Sequence, residues 1–170
     1  SNAIFNGEPV VVDLNTSTGG YIVTAAAGTS MVGVLNGVTF TDATTLKPTF
    51  SNFYPAATTP ANSEDITAFV NDDPFQEYII ASDATLGGTL ALRKSKIGLT
   101  YATTAAAGST TTGKSSIQLG ISTGATTAKQ LRVVRVAEDP ENEDQTAANC
   151  SLVVKVNLHQ YTVGSLATGI

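Results

Sequence analysis

The sequence predicts an all-β protein: a single compact antiparallel β-barrel or β-sandwich with long loops and at most a short helical turn. Three observations carry this. Helical periodicity is nearly absent, whereas short runs of alternating apolar and polar residues recur. Turn-forming clusters separate those runs at the spacings of sandwiches and barrels. Hydrophobic residues make up 42% of the chain, enough to build a core and to argue against wholesale disorder. At 170 residues one domain spanning 1–170 is expected, with extended terminal arms. A chain of this size buries roughly 70% of its extended surface and needs no covalent staples.

The elements follow in order, about eight to ten strands in all. Val10-Val11-Val12-Asp13-Leu14 reads as a first strand. The turn Thr16-Ser17-Thr18-Gly19-Gly20 leads into Tyr21-Ile22-Val23-Thr24. Met31 to Leu35 is apolar and buried, and Asn36-Gly37 offers two positive-φ positions for a tight hairpin into Val38-Thr39-Phe40. Thr49 to Tyr54 is aromatic and strand-like, and Pro55 to Glu64 is a loop. Ile66 to Val70, the turn Asn71-Asp72-Asp73-Pro74 and Phe75 to Ala81 read as a second hairpin. The Asn and Asp side chains there can hold nearby N–H groups, and Pro74 presets its own φ. Leu90 to Ile97 has room for a short helical turn, and Leu99 to Thr103 is a further strand. Ala105 to Gly113 is small and polar, a mobile loop or an arm that orders on a partner. In Lys129 to Ala137, Leu131, Val133 and Val136 meet the core while Arg132 and Arg135 reach solvent. Leu152, Val154, Val156 and Leu158 alternate with Val153, Lys155, Asn157 and His159, which places the second set towards solvent or a neighbour.

Composition narrows the function. The formal net charge is −5, which disfavours nucleic acid, because phosphate neutralisation needs clustered Lys and Arg. The one basic cluster, Arg93-Lys94-Ser95-Lys96, reads as a solvated segment or as a docking contact to an acidic partner. Charged residues are only 14%, so the surface is neutral and hydroxyl-rich, suited to being contacted. Cys150 is the single cysteine, which excludes an internal disulfide and reads as a buried, inert thiol. No stretch approaches the ~20 apolar residues that span a bilayer, and no signal-peptide pattern is visible.

Candidate chemistry is sparse. His159 is the one histidine and lacks a second to complete a common metal site. No Gly-x-Ser-x-Gly elbow accompanies it, so a surface or interface role outweighs a catalytic triad. Glu138-Asp139-Pro140-Glu141-Asn142-Glu143-Asp144 is the densest acidic stretch. It lacks the EF-hand spacing and reads as a solvated loop before a cation site. Asp72-Asp73 sits on a turn locked by Pro74, which favours a structural role over paired carboxylate catalysis. Gly19-Gly20 and Gly87-Gly88 lack the spacing of a phosphate loop. No enzyme and no cofactor is expected.

Several motifs recur together in one family. They are Asn6-Gly7-Glu8-Pro9-Val10, Leu35-Asn36-Gly37-Val38-Thr39-Phe40-Thr41-Asp42, Ser51-Asn52-Phe53-Tyr54-Pro55, and the segment Thr67 to Ala84. Ser109-Thr110-Thr111-Thr112-Gly113-Lys114-Ser115 and Val154-Lys155-Val156-Asn157-Leu158-His159-Gln160-Tyr161 follow. In this order the chain resembles a family of virion structural proteins of tailed bacteriophages, aquatic and cyanophage-like ones in particular. The resemblance implies a capsid cement (decoration) protein on the outer surface of the capsid. Its implied partner is the major capsid protein; symmetric closure adds further copies of itself, a trimer before a dimer, and charge and hydropathy argue against nucleic acid and membrane. Interface candidates are the aromatics Phe53, Tyr54, Phe75 and Tyr78, the cations Arg93, Lys94 and Lys96, and His159 and Tyr161 near the chain end. The alternatives are another phage component (tail tube, head-fibre base or minor head protein) or a carbohydrate-binding β-sandwich. With no tryptophan in the chain, the last is thinly supported.

Overall fold

A computed structural model describes residues 2–15, 17, 19–123, 128–142, 144 and 146–162. Thr16 and Thr18 of the first expected turn, Glu143 of the acidic stretch, the side chain of Glu141 and the terminal arm beyond residue 162 lie outside the described residues. The described chain holds nine strands: β1 (Pro9–Val12), β2 (Ile22–Thr24), β3 (Gly33–Thr41), β4 (Pro48–Ser51), β5 (Thr67–Asn71), β6 (Glu77–Ala81), β7 (Thr100–Tyr101), β8 (Leu131–Val136) and β9 (Ser151–Val156). One helical turn, α1 (Leu90–Lys94), stands where the sequence left room for it. Two 3-10 turns complete the set, at Ala61–Ser63 and Pro140–Asn142.

The strands form two antiparallel sheets. The first runs β2-β1-β3-β4, with β5 on the opposite edge of β3. The second runs β6-β9-β8-β7. The fold is all-β as predicted. Among the described residues neither sheet closes on itself, so the barrel falls away and two open sheets remain, the content a sandwich requires.

Contacts group the described chain into two compact units, one from residues 1–24, 32–72 and 106–116, the other from 25–31, 73–105 and 117–170. In the first, Ile4, Val10, Val32, Leu35 and Val38 form the buried core, with Phe40, Tyr54, Ala68 and Val70 packed against it. Strand β3 is its spine because Leu35 and Val38 alternate inwards with Asn36 and Thr39 outwards across a register shift. In the second, Leu131, Val133, Leu152 and Val154 are buried on the two central strands. Burying each such side chain stabilises by about 1.5–3 kcal/mol.

Four expectations are corrected. The segment 67–84 is not a hairpin. Asp73 does turn the chain, its carboxylate accepting from the Phe75 N–H (2.8 Å) and its carbonyl from Gln76 (3.1 Å). Yet β5 pairs with β3 and β6 pairs with β9, in different sheets. A turn fixes where the chain reverses, whereas burial of distant apolar faces decides which strands pair.

Asn36-Gly37 is not a hairpin turn either. It lies inside β3, where the register to β5 shifts between Leu35 and Gly37, a bulge that glycine accommodates at φ +151°. The hairpin comes later, between β3 and β4. There the Asp42 carboxylate accepts from the N–H groups of Thr44 (3.0 Å) and Thr45 (2.7 Å).

The period-two reading of the last strand holds only in part. Leu152 and Val154 are fully buried, but Val153 is buried too, while Val156 and Leu158 are half-buried. Val153 lies between its register partners Ile79 on β6 and Arg135 on β8, which flank it on the outer face of this central strand. His159, expected to face outwards, is only 3% exposed. It lies past the end of β9, bridged to Met31, so strand alternation no longer governs it.

Finally, the loop ending at Gly113 is fastened rather than loose. The Gly113 carbonyl accepts from Asn6 N–H (2.9 Å) and the Thr112 carbonyl from the Asn52 side chain (2.9 Å). Gly108 lies so close to Phe5 that any side chain there would overlap the ring.

Candidate functional site

The feature of this surface that stands out most is an aromatic pair that sequence reasoning missed. Phe50 on β4 and Phe69 on β5 lie on the outer face of the first sheet, on either side of β3. Their rings are 6.2 Å apart and tilted by 48°. They are 64% and 47% exposed. Between them is Gly37, paired with Phe69 in register. A β-carbon on Gly37 would stand 2.7 Å from Phe50 Cζ and 2.9 Å from the Ser51 carbonyl oxygen. The missing side chain therefore lets the Phe50 ring lie over β3, as in aromatic coverage of strand glycines. The signal was present in Thr67-Ala68-Phe69-Val70-Asn71: Ala68 and Val70 face the core, which sends Phe69 outwards.

The aromatics named from sequence separate into different roles. Phe53 stacks on Phe5, with ring centroids 5.4 Å apart and planes 5° from parallel. Tyr54 bridges to Ile4 and packs on the first core. Phe75, at the Asp73 turn, is 79% exposed. Tyr78 is half-buried on β6, while its neighbour Ile79 is 71% exposed. β6 is an edge strand, so Ile79 presents an apolar side chain at the rim of the second sheet.

The basic cluster does not act as one patch. Thr89 caps α1 by accepting from Leu92 N–H (3.3 Å). Arg93 is half-buried and donates to the Gly87 carbonyl (3.4 Å). Lys94 is exposed and Lys96 half-buried. Around them Leu90, Leu92, Ile97 and Leu99 are all exposed, a second apolar stretch.

His159 Nδ1 accepts from the Tyr161 N–H (3.2 Å), and the two rings meet edge-on at 5.9 Å. Tyr161 itself is exposed. The acidic stretch is organised by an amide rather than by carboxylates. Buried Asn142 donates to the carbonyls of Ala137 (2.8 Å) and Ser151 (2.9 Å) and accepts from Ser151 N–H (2.8 Å). Asp144 turns back on Thr146, whose hydroxyl and N–H hold its carboxyl below the usual carboxylate range. Among the described residues no group of three or more His, Cys, Asp or Glu is placed to hold a metal ion. Cys150 is buried, and burial pushes its thiol up. Glu77 lies 3.5 Å from Lys155 and 3.6 Å from Arg135 at the exposed end of the second sheet, where such pairs contribute little.

The first unit also carries a cleft of about 780 Å³. Its floor is Ile4, Leu35, Val38 and Ala68, and its rim includes Asp13, Glu64 and Asp65. Tyr21 Oη donates to the Asp65 carboxylate across it (3.0 Å), which holds the phenol above its usual range. Among the described residues no helix is long and apolar enough to cross a membrane. No family model matches the chain, and no curated protein or solved structure matches it significantly.

Proposed function

We propose that this chain is a capsid cement protein that binds the outer surface of the major capsid shell of a tailed bacteriophage and stabilises the head. It acts as a homo-oligomer, a trimer in preference to a dimer, because closed symmetry lets one assembly bridge equivalent shell positions. The ordered series of motifs from Asn6-Gly7 to Gln160-Tyr161 supplies the partner class by resemblance. The observation that carries an interaction role is the Phe50–Phe69 pair, exposed on the face of a strand scaffold over Gly37. Exposed apolar patches on a folded domain mark contact surfaces, and aromatic side chains held by rigid elements anchor them. In the second unit Phe75 and Ile79 are also exposed apolar side chains. Many copies on one shell make modest affinity per copy sufficient.

The experiment is co-sedimentation with expanded, undecorated heads. The wild-type protein pellets with heads and saturates at a fixed copy number. Phe50→Ser with Phe69→Ser, both on exposed positions, weakens that binding while far-UV circular dichroism stays unchanged. A wild-type protein that remains in the supernatant at all ratios contradicts the reading.

A further inference from the structure

The first unit carries its cleft beside an unpaired sheet edge. β2 pairs with β1 and, among the described residues, with no other strand. All three residues of β2, Ile22, Val23 and Thr24, line the cleft. Consecutive strand residues point to opposite faces, so three in a row on one cleft mean that the cleft runs along the edge of β2. Across it are Ile66 and Ala68, which pack on the core, and below it are Leu35 and Val38. The cleft thus offers what an added strand uses: a row of main-chain groups on one side and an apolar floor for alternate side chains.

Its charge is one-sided. Asp13, Glu64 and Asp65 line it, and among the described residues no Lys or Arg does. Glu64 and Asp65 are exposed. A volume of about 780 Å³ falls within the 300–1,000 Å³ of a ligand site and takes the side chains of a short segment. The guest that matches is extended, apolar at alternate positions and flanked by Lys or Arg.

We propose that the edge of β2 accepts an extended, Lys- or Arg-bearing segment of the shell subunit as an additional strand. Its inward side chains pack on Ile66 and Ala68 above the core, and its cations meet Glu64 and Asp65. This rests on the decoration reading for the source of the segment and adds a mode of attachment to it. The Phe50–Phe69 pair, on the opposite face of the same sheet, remains a separate contact.

The test compares wild-type protein, Ala68→Arg, Glu64→Lys and, as a control outside the cleft lining, Lys47→Glu on expanded, undecorated heads, with amide hydrogen exchange read on the bound wild-type protein. Ala68→Arg fills the floor with a like-charged group for the guest. Glu64→Lys changes only an exposed rim position, so it reports even where Ala68→Arg fails to fold. The proposal expects each to weaken head binding by about tenfold or more, as for loss of a central or complementary contact. Lys47→Glu binds as wild type. Exchange at Ile22–Thr24 slows by about tenfold or more on binding, the mark of new main-chain hydrogen bonds rather than of charge contact alone. Wild-type head binding with unchanged β2 exchange and undiminished affinity of both cleft variants overturns the added strand and leaves the decoration reading standing. Wild-type protein that does not bind heads overturns the decoration reading, and the shell segment as occupant with it.

Discussion

Replacing Gly37 with alanine is the sharpest single perturbation of the proposed contact face. Gly37 sits at φ +151° inside β3, a conformation L side chains rarely adopt. Holding a non-glycine residue in such a region costs about 1–3 kcal/mol. The new methyl would also stand 2.9 Å from the Ser51 carbonyl, which is backbone and cannot yield easily, and 2.7 Å from Phe50 Cζ, which can. Driving the exposed Phe50 ring off its rotamer adds about 0.5–1.5 kcal/mol. The sum is about 1.5–4.5 kcal/mol, read as a fall in urea midpoint at constant slope. Phe50→Ala alone removes a mostly exposed side chain and costs under about 1 kcal/mol. The double variant separates the two contributions. Without the ring to displace, Gly37→Ala in the Phe50→Ala background recovers about 0.5–1.5 kcal/mol, and the backbone part remains. Gly37→Ala within about 0.5 kcal/mol of wild type, or strict additivity of the pair, refutes the reasoning that glycine is there to let Phe50 lie over β3.

Leu152→Ala, at a fully buried position on central β9, costs about 2–5 kcal/mol, whereas Lys155→Ala costs under about 0.5 kcal/mol in the same denaturant titration. The Asp42 carboxyl is held below its usual range first by the Thr45 N–H, so its contribution is present above the unfolded-state value and lost as pH falls through the folded value. Stability measured from neutral to strongly acid pH therefore falls less steeply at the acid end for Asp42→Ala than for wild type. His159→Ala lowers stability by about 1–3 kcal/mol, because it empties a buried site and removes the acceptor for Tyr161 N–H. Cys150 stays unreactive towards a thiol reagent until the chain unfolds, since its thiol is buried and shifted up.

The parts of the fold legible in sequence were those that local chemistry decides. Val133 inwards and Arg132 outwards follow from alternation along β8, while Arg135 faces outwards because the register shifts between Val133 and Arg135; α1 falls within the Leu90 to Ile97 stretch read as a short helical turn. What failed was everything that depends on remote partners. The Asp73 turn is real, but whether β5 and β6 pair across it depends on β3 and β9, which are distant in sequence. Asn36-Gly37 has the composition of a hairpin turn and the position of a bulge, a distinction set by the strands on either side of β3. Val153 reads as solvent-facing because alternation ignores lateral neighbours, and Val153 lies between Ile79 and Arg135 in the sheet. Aromatic identity points to Phe53 and Tyr54, which pack internally; alternation sends Phe69 outwards, but its pairing with Phe50 across β3 depends on sheet order.

The measurement that bears most directly on the cement proposal is the rupture threshold of expanded, undecorated heads, heated or treated with chelator, with and without saturating protein. A ligand that binds only the assembled shell stabilises that state by mass action. The proposal predicts a raised threshold that saturates with the bound copy number and falls back when Phe50 and Phe69 are replaced by serine. Heads that rupture at the same threshold with and without saturating protein would contradict it.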